Sequence, residues 1–358
     1  MNFIDNIEIK NFKSIRHQKI EGCKKINVLI GYPNVGKSNI LEALSLYAVK
    51  INNNNLADFV RFDEAVSLFH NGDIQLEFEI LINKNHRVVS FYLDDLLMLK
   101  RQYSQEYKLF ESTSIENRFN QSDIVNAWAM EFDLNNNLKN FGTKDQYFIK
   151  GGDILSEIKK YEFRKNISFN KQGYSHLNYP FGENIFSLLS SHPKLRKEAI
   201  DLLKPYDLLL NFDRALNTLR VAKDFKDGSI FTLSYSMVAD TLQRLIFYKA
   251  AIETNEKTVL LFEEPEANMF PTYVKKLTTD ILFDKTNQFF IATHSPYVLD
   301  ELILDAGDDL SVYLVDYKDG ETIIHYLSED DLSEIRQYGV DLFFNIESYL
   351  KHGQVNNS

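Results

Sequence analysis

Residues 26–38 read INVLIGYPNVGKS. The first five residues form an apolar run typical of a buried strand, and Gly31 to Ser38 match the pattern G-x-x-x-x-G-K-S. The apolar stretch from Asn39 to Ala48 has helical periodicity, so the loop lies between a strand and a helix. Backbone N–H groups of such a loop and of the helix N-terminus converge on a β-phosphate. The sequence therefore predicts that the chain binds a nucleoside triphosphate.

Individual residues of this loop have expected contributions to nucleotide binding. Lys37 is expected to reach the β- and γ-phosphate oxygens, and the Ser38 hydroxyl to bind the Mg²⁺ ion that bridges the phosphates. The other residues expected to line the phosphates are Gly31, Asn34, Val35, Gly36 and Asn39. The alternative is a Gly-rich strand-to-helix turn that carries a lysine by chance. The expected cofactors are ATP and Mg²⁺.

The composition is that of an ordinary globular protein. The chain has 358 residues and is 44% hydrophobic, which is enough for one large or two modest domains. Its single cysteine, Cys23, excludes an internal disulfide framework and fits a reducing compartment. No basic-then-apolar leader opens the chain, and no apolar run approaches the roughly 18 residues of a membrane span. We expect a cytoplasmic protein that has no membrane partner.

The charge is unevenly distributed. The formal net charge of -11 argues against a protein that is basic throughout. Residues 144–226 nevertheless contain 15 Lys and Arg against 10 Asp and Glu, a local balance of +5. A basic segment of this kind either contacts phosphate backbones or forms a solvated helical surface. Nucleic-acid binding stays open on composition alone.

The distribution of apolar residues divides the chain into three parts. Residues 1–94 combine alternating, antiparallel strands with the phosphate loop. Residues 95–227 are rich in Asn, Lys and aromatic residues, and helical periodicity over 185–189 and 195–210 predicts a mostly helical insertion. Residues 228–358 alternate apolar strands with helices, which is typical of a parallel sheet covered on both faces. The expected fold class is α/β.

Two acidic residues follow an apolar strand in the third part. Glu263 and Glu264 come directly after the run Val259 to Phe262, which places them at the carboxyl edge of the sheet, where ligands bind in open α/β folds. Glu263 is suited to hold Mg²⁺ directly or through water. Glu264 is suited to orient or deprotonate an attacking water. The alternative is a helix N-cap region before Pro265.

A histidine is expected at the same edge of the sheet. The strand Gln288 to Ala292 is followed by Thr293 and His294. A histidine at this position is able to hydrogen-bond the γ-phosphate and report its presence, although a single histidine after a strand is often structural. Its order after the loop and the acid pair favours the functional interpretation.

Together these motifs resemble the ABC-class ATPases of the RecF, SMC and OLD kind. They are similar, more closely, to the stand-alone AAA-type ATP-binding proteins common in bacterial phage-defence systems. The resemblance covers roughly residues 1–50 and 228–300, and it implies an ABC-type P-loop NTPase head with a mixed sheet and an antiparallel N-terminal β-layer. It rests on the segments Ile7 to Ser14, Gly31 to Leu44, Phe262 to Asn268 and Ala292 to Pro296.

The resemblance also implies roles for individual residues. Glu264 would be the catalytic carboxylate, His294 the switch histidine, and Lys13 would lie near the adenine or the α-phosphate. Such heads close in pairs around two ATP molecules, and each offers a signature segment to the γ-phosphate held by the other. The segment here would be residues 233–244, with Ser236 the first and Ser234 the second candidate. It lacks the Gly of the family's Ser-x-Gly pattern.

The departures from related families lead to an expectation about function. Only 64 residues follow His294, which is too few for the Toprim domain of OLD-type nucleases. The sequence contains no long heptad repeats, so an SMC-like coiled coil is not expected. We expect a Mg²⁺-dependent ATPase that forms a homodimer and regulates a separate nuclease or toxin effector in anti-phage defence. The alternatives are a RecF-like DNA-binding ATPase of repair or recombination, and a nucleotide-binding scaffold with little turnover.

Overall fold

The structure, a computed structural model, describes residues 3–49, 55–84, 86–93, 96–104, 124–132, 138–143, 157–169, 175–214, 216 and 218–355. These residues form sixteen strands and eight α-helices. The strands are β1 (Ile7–Phe12), β2 (Ile15–Ile20), β3 (Ile26–Ile30), β4 (Phe78–Ile82), β5 (His86–Leu93), β6 (Leu96–Ser104), β7 (Ile124–Phe132), β8 (Leu138–Thr143), β9 (Glu157–Tyr161), β10 (Leu209–Asp213), β11 (Thr218–Asp224), β12 (Ile230–Ser234), β13 (Thr258–Glu263), β14 (Gln288–Ala292), β15 (Leu310–Lys318) and β16 (Glu321–Tyr326). The helices are α1 (Lys37–Ser45), α2 (Ile185–Ser191), α3 (Pro193–Leu203), α4 (Asp240–Glu253), α5 (Pro271–Phe283), α6 (Pro296–Asp305), α7 (Glu329–Tyr338) and α8 (Leu342–Val355).

A mixed sheet forms the centre of the molecule. Its strand order is β16-β15-β3-β14-β13-β9, and all neighbours are parallel except the β15–β16 hairpin. All residues of β3 and β14 are buried, as are the first five of β13. Continuous apolar runs of this kind are expected for parallel strands that are covered on both faces.

Two hydrophobic cores cover the two faces of this sheet. Because side chains alternate along a strand, Val28 of β3 belongs to one core and Leu29 to the other. The first core contains residues of helices α2 to α8, and the second contains α1 and strands of an antiparallel sheet. Among the described residues, none of the helices is both long and apolar enough to span a bilayer.

The antiparallel sheet confirms the predicted N-terminal β-layer. Its order is β2-β1-β4-β5-β6-β7-β8, and each neighbouring pair is antiparallel. Strand β1 turns back into β2 through a tight hairpin in which Phe12 pairs with Ile15. The mixed central sheet and this layer together form the α/β head that the sequence predicts.

The helical character predicted for residues 95–227 is wrong in the part of this segment that the structure describes. Helices α2 and α3 are present, but the segment also supplies six strands. Strands β6 to β8 extend the antiparallel sheet, β9 is an edge of the central sheet, and β10 and β11 join β12 in a three-stranded sheet. Pairing partners distant in sequence decide strand formation here, and local periodicity does not reveal them. The three-part division of the chain stays a prediction.

Candidate functional site

The phosphate loop is braced by the β15–β16 hairpin. Gly31 has a φ of 156°, and a Cβ atom there would lie 2.1 Å from the carbonyl oxygen of Val315. Gly36 has a φ of 105°, and a Cβ atom there would lie 2.1 Å from the hydroxyl of Thr322. That hydroxyl donates to the carbonyl of Val35 at 2.8 Å. Glycine is therefore required at both positions, because a side chain would collide with the hairpin.

Lys37 begins helix α1 and is folded back onto the loop. Its side chain is 5% exposed, and its Nζ donates to the carbonyl oxygens of Gly31 and Tyr32 at 2.9 and 2.8 Å. Burial lowers the pKa of Lys37 to about 8, against the attraction of the Glu264 and Glu263 carboxylates. The ammonium group thus lies within the loop, where phosphate oxygens can replace its carbonyl acceptors.

The acid pair and the histidine meet at the carboxyl edge of the central sheet. Glu263 ends β13 and lies opposite Ala292 of β14, which is next to β3 and therefore to the phosphate loop. The backbone N–H of Glu264 donates to the carbonyl of Ala292 at 2.8 Å. The Glu264 Oε1 atom lies 3.6 Å from Nε2 of His294. The structure therefore brings Glu263, Glu264 and His294 to the edge where the loop begins.

The side chain of His294 is a neutral imidazole at neutral pH. Partial burial lowers its pKa, the nearby Lys37 charge lowers it further, and Glu264 opposes both effects. A neutral imidazole donates a hydrogen bond through one ring nitrogen and accepts through the other. This protonation state suits a residue that donates to a phosphate oxygen beside a carboxylate.

Two charged residues that sequence reasoning missed connect the parts of this site. Glu42 of α1 is 0% exposed; it forms an ion pair with Lys13 and accepts a hydrogen bond from Arg61 Nε at 2.8 Å. The other end of the Arg61 guanidinium donates to Glu263 Oε1 at 2.8 Å. The available signal was an acid between the apolar residues Leu41 and Ala43 of the helix after the loop, since a buried carboxylate needs a cation.

Lys13 lies at a cleft of about 530 Å³ beside the start of α1. Burial lowers its pKa, although the Glu42 carboxylate opposes this. The neighbouring Ser14 hydroxyl accepts a hydrogen bond from the side-chain amide of Asn39 at 2.6 Å, which links the cleft to the helix. The cleft is lined by Lys13, Ser14, Arg61, Phe62, Asp63, Ser67, Phe69, Asn71 and Gly72. Its volume is within the usual range of small-molecule sites.

The two residues predicted to hold Mg²⁺ lie on neighbouring elements. Ser38 is half-buried in the first turn of α1, and the Glu263 carboxylate ends the neighbouring β13. A hydroxyl and a carboxylate are the hard ligands that Mg²⁺ takes alongside nucleotide phosphates and water. Arg61 holds one oxygen of Glu263, so direct coordination by that oxygen would require the guanidinium to move.

The predicted signature serines lie on a different sheet. Ser234 ends β12 of the three-stranded sheet, and Ser236 follows in a 3-10 turn before α4. Their hydroxyls are 2.9 Å apart, and the adjacent Met237 is 69% exposed. In the described part of the chain, no hydrogen bond joins either serine to residues 31–38. The serines therefore face outward rather than completing the loop of their own chain.

A comparison with protein families matches residues 26–300 to the family described as "AAA domain, putative AbiEii toxin, Type IV TA system". The chain belongs to this family. The match begins at the first residue of β3 and ends within α6, so it includes the loop, the acid pair and His294 of this AAA domain.

Curated relatives match short parts of this AAA domain protein. An ATP/GTP phosphatase of Helicobacter pylori is 51% identical over 41 residues, which cover 12% of this chain and 11% of the relative. A DNA replication and repair protein RecF of Caldanaerobacter subterraneus is 33% identical over 64 residues, covering 17% of this chain and 18% of the relative. The chain thus spans less than a fifth of the length of either protein.

A comparison with solved structures matches the chain to heads of SMC proteins. The SMC head bound to the C-winged helix domain of ScpA covers 93% of this chain and 100% of its own, at 12% identity and a TM-score of 0.47. The SMC head of Thermotoga maritima covers 91% of this chain and 100% of its own, at 11% identity and a TM-score of 0.41.

Proposed function

We propose that this chain is a cytoplasmic, Mg²⁺-dependent ATPase that forms a homodimer around ATP and passes its nucleotide state to a separate effector protein. The observation that carries this proposal is the convergence of the loop 31–38 with Glu263, Glu264 and His294 at one sheet edge. Membership of the AAA-domain family supports nucleotide binding by this edge.

The arrangement of groups suits hydrolysis of a triphosphate. The loop and the N-terminus of α1 bind the phosphates, Lys37 exchanges its carbonyl partners for β- and γ-oxygens, and Ser38 with Glu263 holds the metal. Mg²⁺, when bound, neutralises charge on the phosphates. Glu264 orients the attacking water and accepts its proton, while His294 beside it donates to the γ-phosphate.

The outward position of the signature serines supports a dimer. Ser234 is exposed at the end of β12 and Ser236 is half-buried in the following 3-10 turn, and in the described residues their hydroxyls bond to each other rather than to the loop. A second copy would bring these hydroxyls to the γ-phosphate held by the first. The site of each chain is then completed by its partner, and dimerisation depends on the nucleotide.

The effector is proposed to be a nuclease or toxin that acts in anti-phage defence. The family description names a toxin and a toxin–antitoxin system, which supports coupling of this ATPase to a toxic output. The resemblance to stand-alone ATP-binding proteins of phage-defence systems supports the same setting.

Removing the Glu264 carboxylate tests the proposal. Glu264→Gln is expected to lower Mg²⁺-dependent ATP turnover by about 100-fold or more, because it removes the general base. ATP should be retained, and the mass measured with ATP should be that of a dimer. The matched control is Glu256→Gln, an exposed acid before the opposite end of β13, which should keep native turnover. Absence of Mg²⁺-dependent turnover in the native chain, together with no trapped ATP and no dimer in Glu264→Gln, would disprove this function.

A RecF-like DNA-binding ATPase is the second candidate, supported by the 64-residue match to RecF. In its described part, the basic segment 144–226 contains Lys and Arg side chains that interact with other groups of the protein. Lys160 is 3% exposed and donates to the Phe59 carbonyl, and the Arg164 guanidinium stacks 3.4 Å from the centre of the Phe181 ring. We therefore do not expect this segment to form an electrostatic interface with DNA. DNA binding whose affinity falls steeply as salt is added would favour this second function.

A further inference from the structure

Glu266 is a buried acid to which the proposed mechanism gives no role. It lies in the turn between β13 and α5 and is 8% exposed. Its Oε1 atom accepts a hydrogen bond from the Thr293 hydroxyl at 2.5 Å and a longer one from the His294 backbone N–H at 3.3 Å. Thr293 is 0% exposed. One carboxylate oxygen therefore holds the two residues that follow β14.

These bonds belong to a set that fixes the acid turn against the end of β14. The backbone N–H of Glu264 donates to the Ala292 carbonyl at 2.8 Å. The Thr293 hydroxyl, which donates to Glu266, also accepts from the backbone N–H of Ser295 at 3.0 Å. Glu264 and His294 are thereby held next to each other by a backbone hydrogen bond and by side-chain hydrogen bonds. Glu266 is the acceptor of the side-chain bond from Thr293.

Glu266 is retained at a cost in stability. Its second oxygen, Oε2, is buried and has no hydrogen-bond partner among the described residues. Burial raises the pKa of Glu266, and the hydrogen bond from Thr293 opposes this rise. A buried polar atom without a partner destabilises the fold, and in a native structure such an atom calls for a functional explanation.

We infer that Glu266 is a positioning residue of the proposed ATPase, which anchors Thr293 and His294 so that the imidazole stays opposite Glu264. This inference rests on the proposed function. In the proposed function, the loop 31–38 holds the phosphates. Among the described residues, no hydrogen bond joins this loop to Glu266. Loss of the anchor should therefore lower the rate of hydrolysis more than the affinity for ATP, because misplaced catalytic groups act on the transition state.

Two substitutions remove the same bond from opposite ends. Glu266→Ala and Thr293→Val are each expected to lower kcat by about 10- to 100-fold, with a much smaller change in KM. Glu266→Gln keeps an oxygen acceptor and should restore most of the turnover lost in Glu266→Ala. The matched control is Thr278→Val, because Thr278 is equally buried but its hydroxyl bonds only to carbonyls of α5 among the described residues. If Glu266→Ala does not fold, Thr293→Val carries the test.

Coupling between the two positions provides a sharper criterion. The double variant Glu266→Ala/Thr293→Val should lose clearly less kcat than the product of the two single losses, because the bond between Glu266 and Thr293 is lost only once. Each single variant also removes one further bond, from the His294 N–H to Glu266 or from the Ser295 N–H to Thr293. The inference is overturned if the two losses multiply, if Thr293→Val behaves like Thr278→Val, or if KM rises as much as kcat falls.

A measurement without turnover separates this inference from the proposed ATPase function. In nucleotide-free chain labelled with ¹⁵N-histidine, the backbone amide resonance of His294 is assigned by its loss in His294→Gln. Glu266→Ala and Thr293→Val should both shift this resonance, and Thr278→Val should not. If it shifts while the native chain shows no ATP turnover, the anchor stands and the proposed function fails. If it does not shift although the native chain turns over ATP, the function stands and the inference fails.

Discussion

The two halves of the proposed composite site differ in how far one chain prepares them. In the phosphate half, Lys37 is 5% exposed and the loop is packed so closely on β15 and β16 that a Cβ at Gly31 has no room. In the signature half, Ser234 is exposed and Ser236 is half-buried, next to Met237, which is 69% exposed. The difference teaches that the loop is packed in place within one chain, whereas the signature half would need the second copy of the proposed dimer to take part in the site.

Gly31→Ala should break the phosphate half with the largest effect. The new Cβ would lie 2.1 Å from the Val315 carbonyl oxygen, a backbone atom of the central sheet that cannot move without disturbing β15. We expect a loss of about 3 kcal/mol or more of folding free energy, together with loss of ATP binding. Chemical denaturation and nucleotide titration measure the two effects.

Gly320→Ala is the control for backbone strain in the same hairpin. Gly320 has a φ of 89°, and a Cβ atom there would have no other atom within 4 Å among the described residues, so substitution adds strain without collision. The expected cost is about 1 kcal/mol, with ATP binding retained. Equal losses in the two variants would show that the hairpin does not brace the loop.

Sequence reasoning predicted the phosphate half from local signals. A strand, a glycine-rich loop, a lysine and a helix are consecutive. Glu263 ends β13, and Glu264 and His294 come one and two residues after the apolar strands β13 and β14. What it missed depends on contacts over long separations. Thr322 meets the loop 287 residues from Val35, and Arg61 meets Glu263 from 202 residues away. No spacing in the sequence encodes such contacts.

Lys37→Met should nearly abolish ATP binding while leaving the fold intact. Lys37 supplies charge-assisted hydrogen bonds to phosphate, so affinity should fall on the order of 100-fold. In the native chain, affinity should also fall as pH rises through about 8, because the buried ammonium loses its proton there. Nucleotide titration at several pH values checks both effects.

The stability of the nucleotide-free chain should change with pH in the opposite direction. The pKa of Lys37 is about 8 in the folded chain against an ordinary lysine value of 10.5, so between these values the unfolded chain binds the additional proton. The Lys37 contribution to folding free energy therefore rises with pH across this window. Lys37→Met should lack this contribution, and a native profile identical to that of the variant would contradict the lowered pKa.

Arg61→Gln should have a moderate effect within the phosphate half. The guanidinium holds Glu42, which is 0% exposed, and bridges it to Glu263. Its loss leaves a buried carboxylate that keeps, among the described residues, an ion pair with Lys13 alone, and we expect about 1–2 kcal/mol of destabilisation. The control is Arg16→Gln, because the Arg16 side chain is 70% exposed and lies 3.8 Å from Glu321. That change should cost about 0.5 kcal/mol or less in denaturation.

The segment 95–227, which was predicted to be mostly helical, shows where local sequence patterns fail to predict secondary structure. Strand β6 pairs with β5, the strand that precedes it in the chain, whereas β9 pairs with β13 from about 100 residues away. An edge strand such as β9 is short, and its burial comes from a neighbour that periodicity does not identify. Helices α2 and α3 were predicted, because their periodicity is internal to each helix, but the helical stretch predicted over 195–210 extends past the end of α3 at Leu203 into β10.

Ser236→Ala should have the smallest effect on the isolated chain and therefore sharpens the contrast between the halves. Its hydroxyl is exposed and shares its hydrogen bond with Ser234, so folding free energy should change by about 0.5 kcal/mol or less. ATP affinity of the single chain should also stay unchanged, since the serine contributes nothing to its own loop. Turnover should nevertheless fall where the dimer forms.

Mixing Ser236→Ala chains with Lys37→Met chains shows which chain supplies the serine. If the partner supplies it, the intact loop of the Ser236→Ala chain faces the intact serine of the Lys37→Met chain. One of the two sites in the mixed dimer is then complete, so the mixture should recover part of the turnover that each variant lacks alone. Should each chain instead complete its own site, every site in the mixture would carry one substitution, and turnover would stay at the level of the separate variants.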